Sequence, residues 1–112
     1  MVRRMSATSD NETWVVEAGA EVVEKRANFG FNTLSAKEQL VYWLWWADYM
    51  LRNAGDFANA VELKRDFQQE VVTLANQLRL AFTEETFALP RVALEQQYFD
   101  RFDRVCDEIR NA

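Results

Sequence analysis

Apolar residues recur every three or four positions along most of the chain, which is the spacing of one face of an α-helix. The pattern is densest between residues 36 and 53. One apolar stripe of this segment consists of Leu40, Leu44, Ala47 and Leu51, and a second, almost opposite, consists of Tyr42, Trp46 and Tyr49. A helix that is apolar nearly all round belongs at the centre of a domain. We therefore predict an all-α fold, an irregular bundle of about four main helices around a central apolar helix at about 36–53.

Local signals mark both ends of that central helix. Ser35, followed three residues later by Glu38, is the capping-box pattern that begins a helix. Asn53 or Gly55 ends it, because both residue types adopt the left-handed backbone conformation readily. A first helix is predicted at about 13–27, and Gly19 lies within its valine-rich face. We interpret Gly19 as a point where a neighbouring helix or a bulky side chain comes close. The alternative is a tolerated glycine without a packing role.

Two further helical segments follow. Apolar spacing predicts a helix over about 57–82, either continuous or broken near Lys64 and Arg65. Residues 83–86 are predicted as a polar break, and Pro90 suits the first turn of a final helix. The predicted core face of that final helix consists of Leu94, Tyr98, Phe99, Phe102, Val105, Cys106 and Ile109.

The 112 residues, 49% of them hydrophobic, suffice for one domain with a core. We expect a single helical domain at 13–112, preceded by a flexible segment at 1–12. That segment has two arginines but no apolar run behind them, so it does not match a secretory signal. The densest apolar stretch, at about 12 residues, is too short to cross a bilayer. We therefore expect a cytoplasmic protein without membrane contact.

The composition limits the chemistry that the chain can perform. It contains no histidine, which removes the most common general base and transition-metal ligand. The single cysteine, Cys106, falls on a predicted core face. No glycine-rich phosphate loop or nucleophile elbow occurs. We therefore expect no enzyme activity, no metal site and no cofactor.

Acidic residues outnumber basic ones by 18 to 13, so the net charge is −5. Such a domain repels the phosphate backbone, which disfavours direct nucleic-acid binding but not a basic partner that itself binds nucleic acid. Two sets of acids recur about one helical turn apart, roughly 5–6 Å, near the ~6–7 Å spacing of phosphates on a DNA strand. The sets are Glu17, Glu21 and Glu24, and Asp100, Asp103 and Asp107. Arg101 and Arg104 flank the second set, so the first is the better candidate. The alternative for both is a solvated helix face.

Aromatic residues are unusually dense on the central helix, and some of them could line a groove or an interface. The candidates are Tyr42, Trp45 and Tyr49, with Asp48 embedded among them. Asp48 precedes Arg52 by four residues, the favourable order for an ion pair. A structural ion pair and a binding role both remain open for Asp48. Trp43 and Trp46 are interpreted as core.

Residues 34–57, about a fifth of the chain, resemble a bacterial family of acidic all-helical proteins that includes a described DNA mimic. Members share a helix that opens with Ser/Thr-x-x-Glu, a leucine- and tryptophan-rich segment and an Asn-Gly-Gly-Phe-like turn. Here these features are Ser35 to Glu38, residues 44–49 and the turn 53–57, in which Ala54 replaces the first glycine and Asp56 is inserted. The resemblance implies an all-α fold and DNA mimicry, in which an acidic surface occupies the site of a DNA-binding protein.

We therefore expect a non-enzymatic protein-interaction module of bacterial type. Its leading interpretation is an acidic decoy for a basic DNA-binding partner. One alternative is a small-ligand binder with an aromatic pocket near Tyr42, Trp45, Asp48 and Tyr49. A second alternative is a structural protein that forms a homodimer through exposed aromatic residues.

Overall fold

The computed structural model describes the backbone of residues 2–58 and 66–112, with side chains from Asp10 onward in those ranges. Five α-helices and one short 3-10 helix lie within these residues. The α-helices are α1 (Val2–Phe29), α2 (Ala36–Ala54), α3 (Phe67–Gln77), α4 (Ala81–Phe87) and α5 (Arg91–Arg110), and the 3-10 helix is Phe31–Thr33. The all-α fold is confirmed. Within the described part of the chain, no helix has the length and apolar character needed to cross a membrane.

Helix α1 begins at Val2, well before the predicted start near Thr13. Asn11, in this upstream part of the helix, contacts the last helix of the chain. This side chain is buried and donates hydrogen bonds to Asp103 on α5 at 2.9 Å and to Asp107 at 3.4 Å. The end of the predicted flexible segment 1–12 therefore packs against the last helix. The prediction of a flexible segment also covers residues 1–9, whose side chains are not among those that the structure describes.

Helix α2 is the central element that the apolar pattern predicts, and it packs against α1, α3 and α5. The Ser35 hydroxyl accepts a hydrogen bond from the Glu38 backbone N–H, and the Glu38 carboxylate accepts one from the Ser35 N–H. This is the complete capping box. The helix ends where Gly55 adopts a left-handed conformation, with φ of 82°. Its buried residues are Leu40, Val41, Trp43, Leu44, Ala47, Asp48 and Leu51.

The helix predicted over about 57–82, either continuous or broken near Lys64 and Arg65, is interrupted between residues 77 and 81. Helix α3 ends at Gln77 and α4 begins at Ala81, with Arg79 between them in a left-handed conformation, φ 59°. The polar break expected at 83–86 is wrong, because those residues lie inside α4. Thr83 and Thr86 are buried, and their hydroxyls donate to Glu108 and to the Phe82 carbonyl. The possible break at Lys64 and Arg65 lies outside the described residues.

Helix α5 starts directly after Pro90, whose extended backbone precedes the first helical residue. Its inner face follows the prediction except at one position, because Phe99 is 50% exposed. The residues of α5 that are buried in the core are Leu94, Tyr98, Phe102, Val105, Cys106 and Ile109. Contacts of this face with α1 and α2 join the three helices.

Candidate interaction surface

The predicted acidic set lies on the outer face of α1. Glu17, Glu21 and Glu24 are all exposed, and none forms an ion pair with a cation in the described part of the chain. Lys25 is the nearest base in sequence, but its ammonium group binds Glu38 at 2.8 Å. This leaves three carboxylates in succession along one exposed helix face. We call these three residues the acidic stripe.

The second acidic set does not form a comparable surface. Asp103 and Asp107 accept hydrogen bonds from Asn11 and so join α5 to α1. Arg101 contacts Glu85 and the Thr86 hydroxyl. These contacts hold helices together, so the difference that the sequence predicts between the two acidic sets is present in the structure.

The aromatic residues of α2 form a ladder beside α1. Tyr42 and Trp45 have ring centroids 6.1 Å apart, and Trp45 stacks on Tyr49 at 6.1 Å with an interplanar angle of 20°. Arg26 of α1 lies over the Tyr42 ring, 5.3 Å from its centroid. Exposure increases toward the far end of the ladder, where Tyr49 is 55% exposed. Three of the predicted binding residues are therefore in mutual contact, and Tyr49 is the one most open to solvent.

Gly19 allows α1 to lie against this ladder. A Cβ atom on Gly19 would overlap the Trp45 ring and lie 2.7 Å from the Trp45 Cβ. The predicted close approach at Gly19 is therefore confirmed. Beside it, a cleft of 140 Å³ opens between α1 and α2. Its walls are Val15, Val16, Trp45, Asp48, Tyr49, Arg52 and Asn53.

Asp48 lines the cleft, but its carboxylate makes contacts within the protein. It is 7% exposed, binds the Arg52 guanidinium at 2.8 Å and accepts a hydrogen bond from the Tyr98 hydroxyl at 2.8 Å. Burial alone would lower the pKa of Arg52, but the hydrogen bond and charge of Asp48 raise it on balance. The predicted ion pair is confirmed, and both carboxylate oxygens of Asp48 have partners within the protein.

Phe99, which the sequence assigned to the core, and Val16, on the valine-rich face of α1, both belong to this surface. Val16, expected on the valine face of α1, is 60% exposed, and Phe99 is 50% exposed. Arg52 links them, since it lines the cleft with Val16 and lies 4.8 Å from the Phe99 ring centroid. Val16 lies about 100° around the helix from the buried Val15. If the buried sector of α1 is taken to be narrower than the valine-rich face, it includes Val15 and leaves Val16 exposed.

A second cleft lies on the other side of α1. Its volume is 390 Å³, and its walls include Trp14, Glu21, Lys37 and Val41. Glu21 therefore borders this cleft, while Glu17 and Glu24 face solvent. Of the three acids, only Glu21 is among the described wall residues of this second cleft.

The groups on the α1–α2 surface are carboxylates, aromatic rings and a guanidinium that is already paired. Such groups bind through charge and apolar contact. The described residues contain no cluster of three or more potential metal ligands. Cys106 is buried, and burial raises the pKa of its thiol, which disfavours the reactive thiolate.

The comparisons with known proteins add no relative to this picture. No protein-family model, no curated protein and no solved structure matches the chain. The likeness of residues 34–57 to the acidic helical family therefore stays a prediction, and the site has to be interpreted from its own geometry.

Proposed function

We propose that the chain is a bacterial, cytoplasmic protein-interaction module that binds a basic partner protein through the acidic stripe. No catalytic step is part of the proposal. One observation carries it: Glu17, Glu21 and Glu24 are exposed in succession along α1, and none of them forms an ion pair with a cation among the described residues. Acids aligned in this way present their charge to one side of the molecule, which suits a complementary partner surface.

The spacing of the stripe suits a surface that normally binds DNA. Neighbouring carboxylates stand about 5–6 Å apart along a helix, close to the ~6–7 Å between phosphates on a DNA strand. The stripe would therefore meet Lys and Arg side chains that a DNA-binding protein presents to phosphates. The net charge of −5 speeds the encounter with a basic partner, because long-range attraction raises association rates.

Neutralising the stripe tests the proposal. The test variant carries Glu17→Gln, Glu21→Gln and Glu24→Gln, and the control carries Asp56→Asn, Glu85→Gln and Asp100→Asn, all exposed positions. Both variants change the net charge by three units, from −5 to −2. The two variants lose the same charge at different places on the surface.

The measurement is affinity capture from a bacterial lysate, followed by competition with DNA for each recovered protein after purification. We expect wild type and control to capture basic DNA-binding proteins and to compete with their DNA, and the stripe variant to do neither. Capture of the same proteins by all three baits would contradict the proposal, and so would recovery of only neutral or acidic proteins.

The alternative of a small-ligand pocket has less support. The cleft beside Trp45 and Tyr49 measures 140 Å³, whereas ligand pockets usually measure about 300–1,000 Å³. Asp48 cannot supply a free polar contact there, because Tyr98 and Arg52 occupy its oxygens. The cleft is better suited to one protruding side chain than to a whole ligand.

A further inference from the structure

The cleft and the exposed apolar side chains around it form one surface, which we call the anchor surface: Val16, Trp45, Tyr49 and Phe99. Three of these side chains are at least half exposed, at 60% for Val16, 55% for Tyr49 and 50% for Phe99. Large apolar side chains that cluster in this way on a surface are typical of binding sites. The stacked rings of Trp45 and Tyr49 supply a rigid wall on one side of the cleft.

The charges beside the anchor surface determine what can cover it. Around α1, Glu17 lies about 100° and Glu24 about 80° from Val16 on the solvent side. Glu17 directly follows this wall residue of the cleft, and Glu24 lies about 12 Å further along the helix. Among the described residues of the cleft wall, the one cation is Arg52, which is paired with Asp48 at 2.8 Å and with Glu12 at 3.7 Å. The exposed charges of α1 nearest to the cleft that have no ion-pair partner among the described residues are therefore acidic, and their complement is basic.

A second copy of this chain fits the anchor surface poorly. In a symmetric dimer the same patch of both subunits meets, and each copy would bring its own Glu17 and Glu24 toward the other. Like charges placed opposite one another at an interface oppose binding. Charge complementarity therefore selects a basic occupant over a homodimer.

We propose that the anchor surface takes a basic amphipathic helix of the partner, with one bulky apolar side chain in the cleft and Lys or Arg side chains facing Glu17 and Glu24. This inference rests on the proposed function and adds the chemistry of the bound segment. The cleft volume of 140 Å³ matches a single apolar group, since an engineered cavity of about 150 Å³ holds benzene. Glu17 and Glu24 stand seven residues apart, about 10.5 Å along α1, which matches basic residues two turns apart on a facing helix.

The test is a selection from a phage library of random peptides of about 16 residues, long enough for roughly four helical turns. Wild-type protein is one bait. The charge bait carries Glu17→Gln and Glu24→Gln, and the anchor bait carries Val16→Ser and Tyr49→Ser. All four positions are exposed, so the variants keep the core, and circular dichroism verifies their helix content.

We expect wild type to enrich peptides that combine basic residues at helical spacing with one large apolar residue. Synthetic versions of these peptides should bind the charge bait and the anchor bait each at least about tenfold more weakly than wild type. Replacing the apolar residue of the peptide by serine should abolish the difference between wild type and the anchor bait.

The outcomes separate the two proposals. Basic peptides without an apolar residue, binding wild type and the anchor bait equally, would overturn the anchor inference and leave the acidic stripe intact. Enriched peptides without basic residues, or no enrichment over the charge bait, would overturn the proposed function as well. A dimer of wild type that the anchor variant disrupts would replace the basic helix by a second copy of the chain.

Discussion

Gly19 of α1 lies against the side chain of Trp45 of α2 so closely that no side chain fits between them. A Cβ atom on Gly19 would lie 2.7 Å from the Trp45 Cβ, and the ring atoms would be closer still. Because the Trp45 Cβ is fixed by the α2 backbone, rotation of the indole cannot make enough room. The separation of the two helices at the cleft is therefore set by this pair.

Gly19→Ala tests that relationship. In an unconstrained helix the change would stabilise by about 1 kcal/mol, because alanine is the better helix former. Here we expect the free energy of unfolding to fall by about 1–3 kcal/mol, the usual cost of overpacking. Urea unfolding followed by circular dichroism measures the change, and Trp fluorescence should shift as α1 and α2 separate.

The same substitution in a Trp45→Ala background provides the control. Removing the indole eliminates the nearest ring atoms, so the cost of Gly19→Ala should shrink by at least about 1 kcal/mol, which is a coupling typical of residues in contact. A stabilising effect of Gly19→Ala in the wild-type background would show that the helices adjust without cost.

The hydrogen bond from Tyr98 to Asp48 predicts a loss of stability in alkali. Burial, the charge of Asp48 and the hydrogen bond raise the pKa of Tyr98 well above 10.0. The unfolded chain releases the proton near the ordinary value, while the folded chain retains it. This contribution to stability is therefore intact below pH about 10 and is lost as the pH rises toward the folded pKa, by up to about 1.4 kcal/mol per unit.

Tyr98→Phe isolates that group. At neutral pH the variant should be less stable by about 1–3 kcal/mol, since it leaves a buried Asp48 oxygen without its donor. The difference in the free energy of unfolding between this variant and wild type should become smaller above pH about 10. Urea unfolding at several pH values measures this difference. Cys106, whose pKa burial also raises, is present in both proteins and cancels. Tyr49→Phe is the exposed control, and a constant difference for Tyr98→Phe across this range would contradict the prediction.

Glu108 predicts a matching sensitivity to acid. Burial alone would raise its pKa, but hydrogen bonds from the Phe82 N–H, the Thr83 hydroxyl and the Thr83 N–H lower it below 4.5 on balance. A lowered carboxylate pKa gives stability that is present above the unfolded value and lost as the pH falls through the folded one. This carboxylate of α5 therefore holds the first turn of α4 only while it is ionised.

Glu108→Gln should reduce the free energy of unfolding by about 1–2 kcal/mol at neutral pH, because the amide accepts fewer and weaker hydrogen bonds. The difference in the free energy of unfolding between this variant and wild type should become smaller as the pH falls below about 4.5, because wild type then loses the same charge. Asp100→Asn, an exposed change on the same helix, serves as the reference. Equal destabilisation at every pH would mean that shape, and not charge, explains the role of Glu108.

Local chemistry made the central part of the fold predictable. The capping box at Ser35 and Glu38 and the left-handed Gly55 depend on neighbouring residues, so the bounds of α2 could be predicted almost to the residue. Helix α4 could not. Its two threonines are polar, and the buried Thr83 is hydrogen-bonded to the Glu108 carboxylate, which lies 25 residues further along the chain. A contact of that separation leaves no periodic signal in sequence.

In the candidate site too, features that depend on one helix could be predicted, and features that depend on the packing of several helices could not. The alignment of Glu17, Glu21 and Glu24 and the closeness at Gly19 follow from one helix alone, and both could be predicted. The exposure of Val16 and Phe99 depends on how far apart α1, α2 and α5 lie. Hydrophobicity alone places both residues in the core, so their position beside the cleft became visible only in the assembled fold.

Glu17→Lys predicts opposite effects on stability and on binding. Glu17 and Glu21 stand four residues apart on α1, where like charges destabilise a helix by about 0.2–0.5 kcal/mol. The substitution converts that repulsion into attraction, so we expect the free energy of unfolding to rise by about 0.5 kcal/mol at low salt and the gain to vanish near 1 M salt. The same variant should bind a basic partner more weakly. A loss of stability would instead reveal a favourable contact of the Glu17 carboxylate, and the stripe would then have a structural reason to exist.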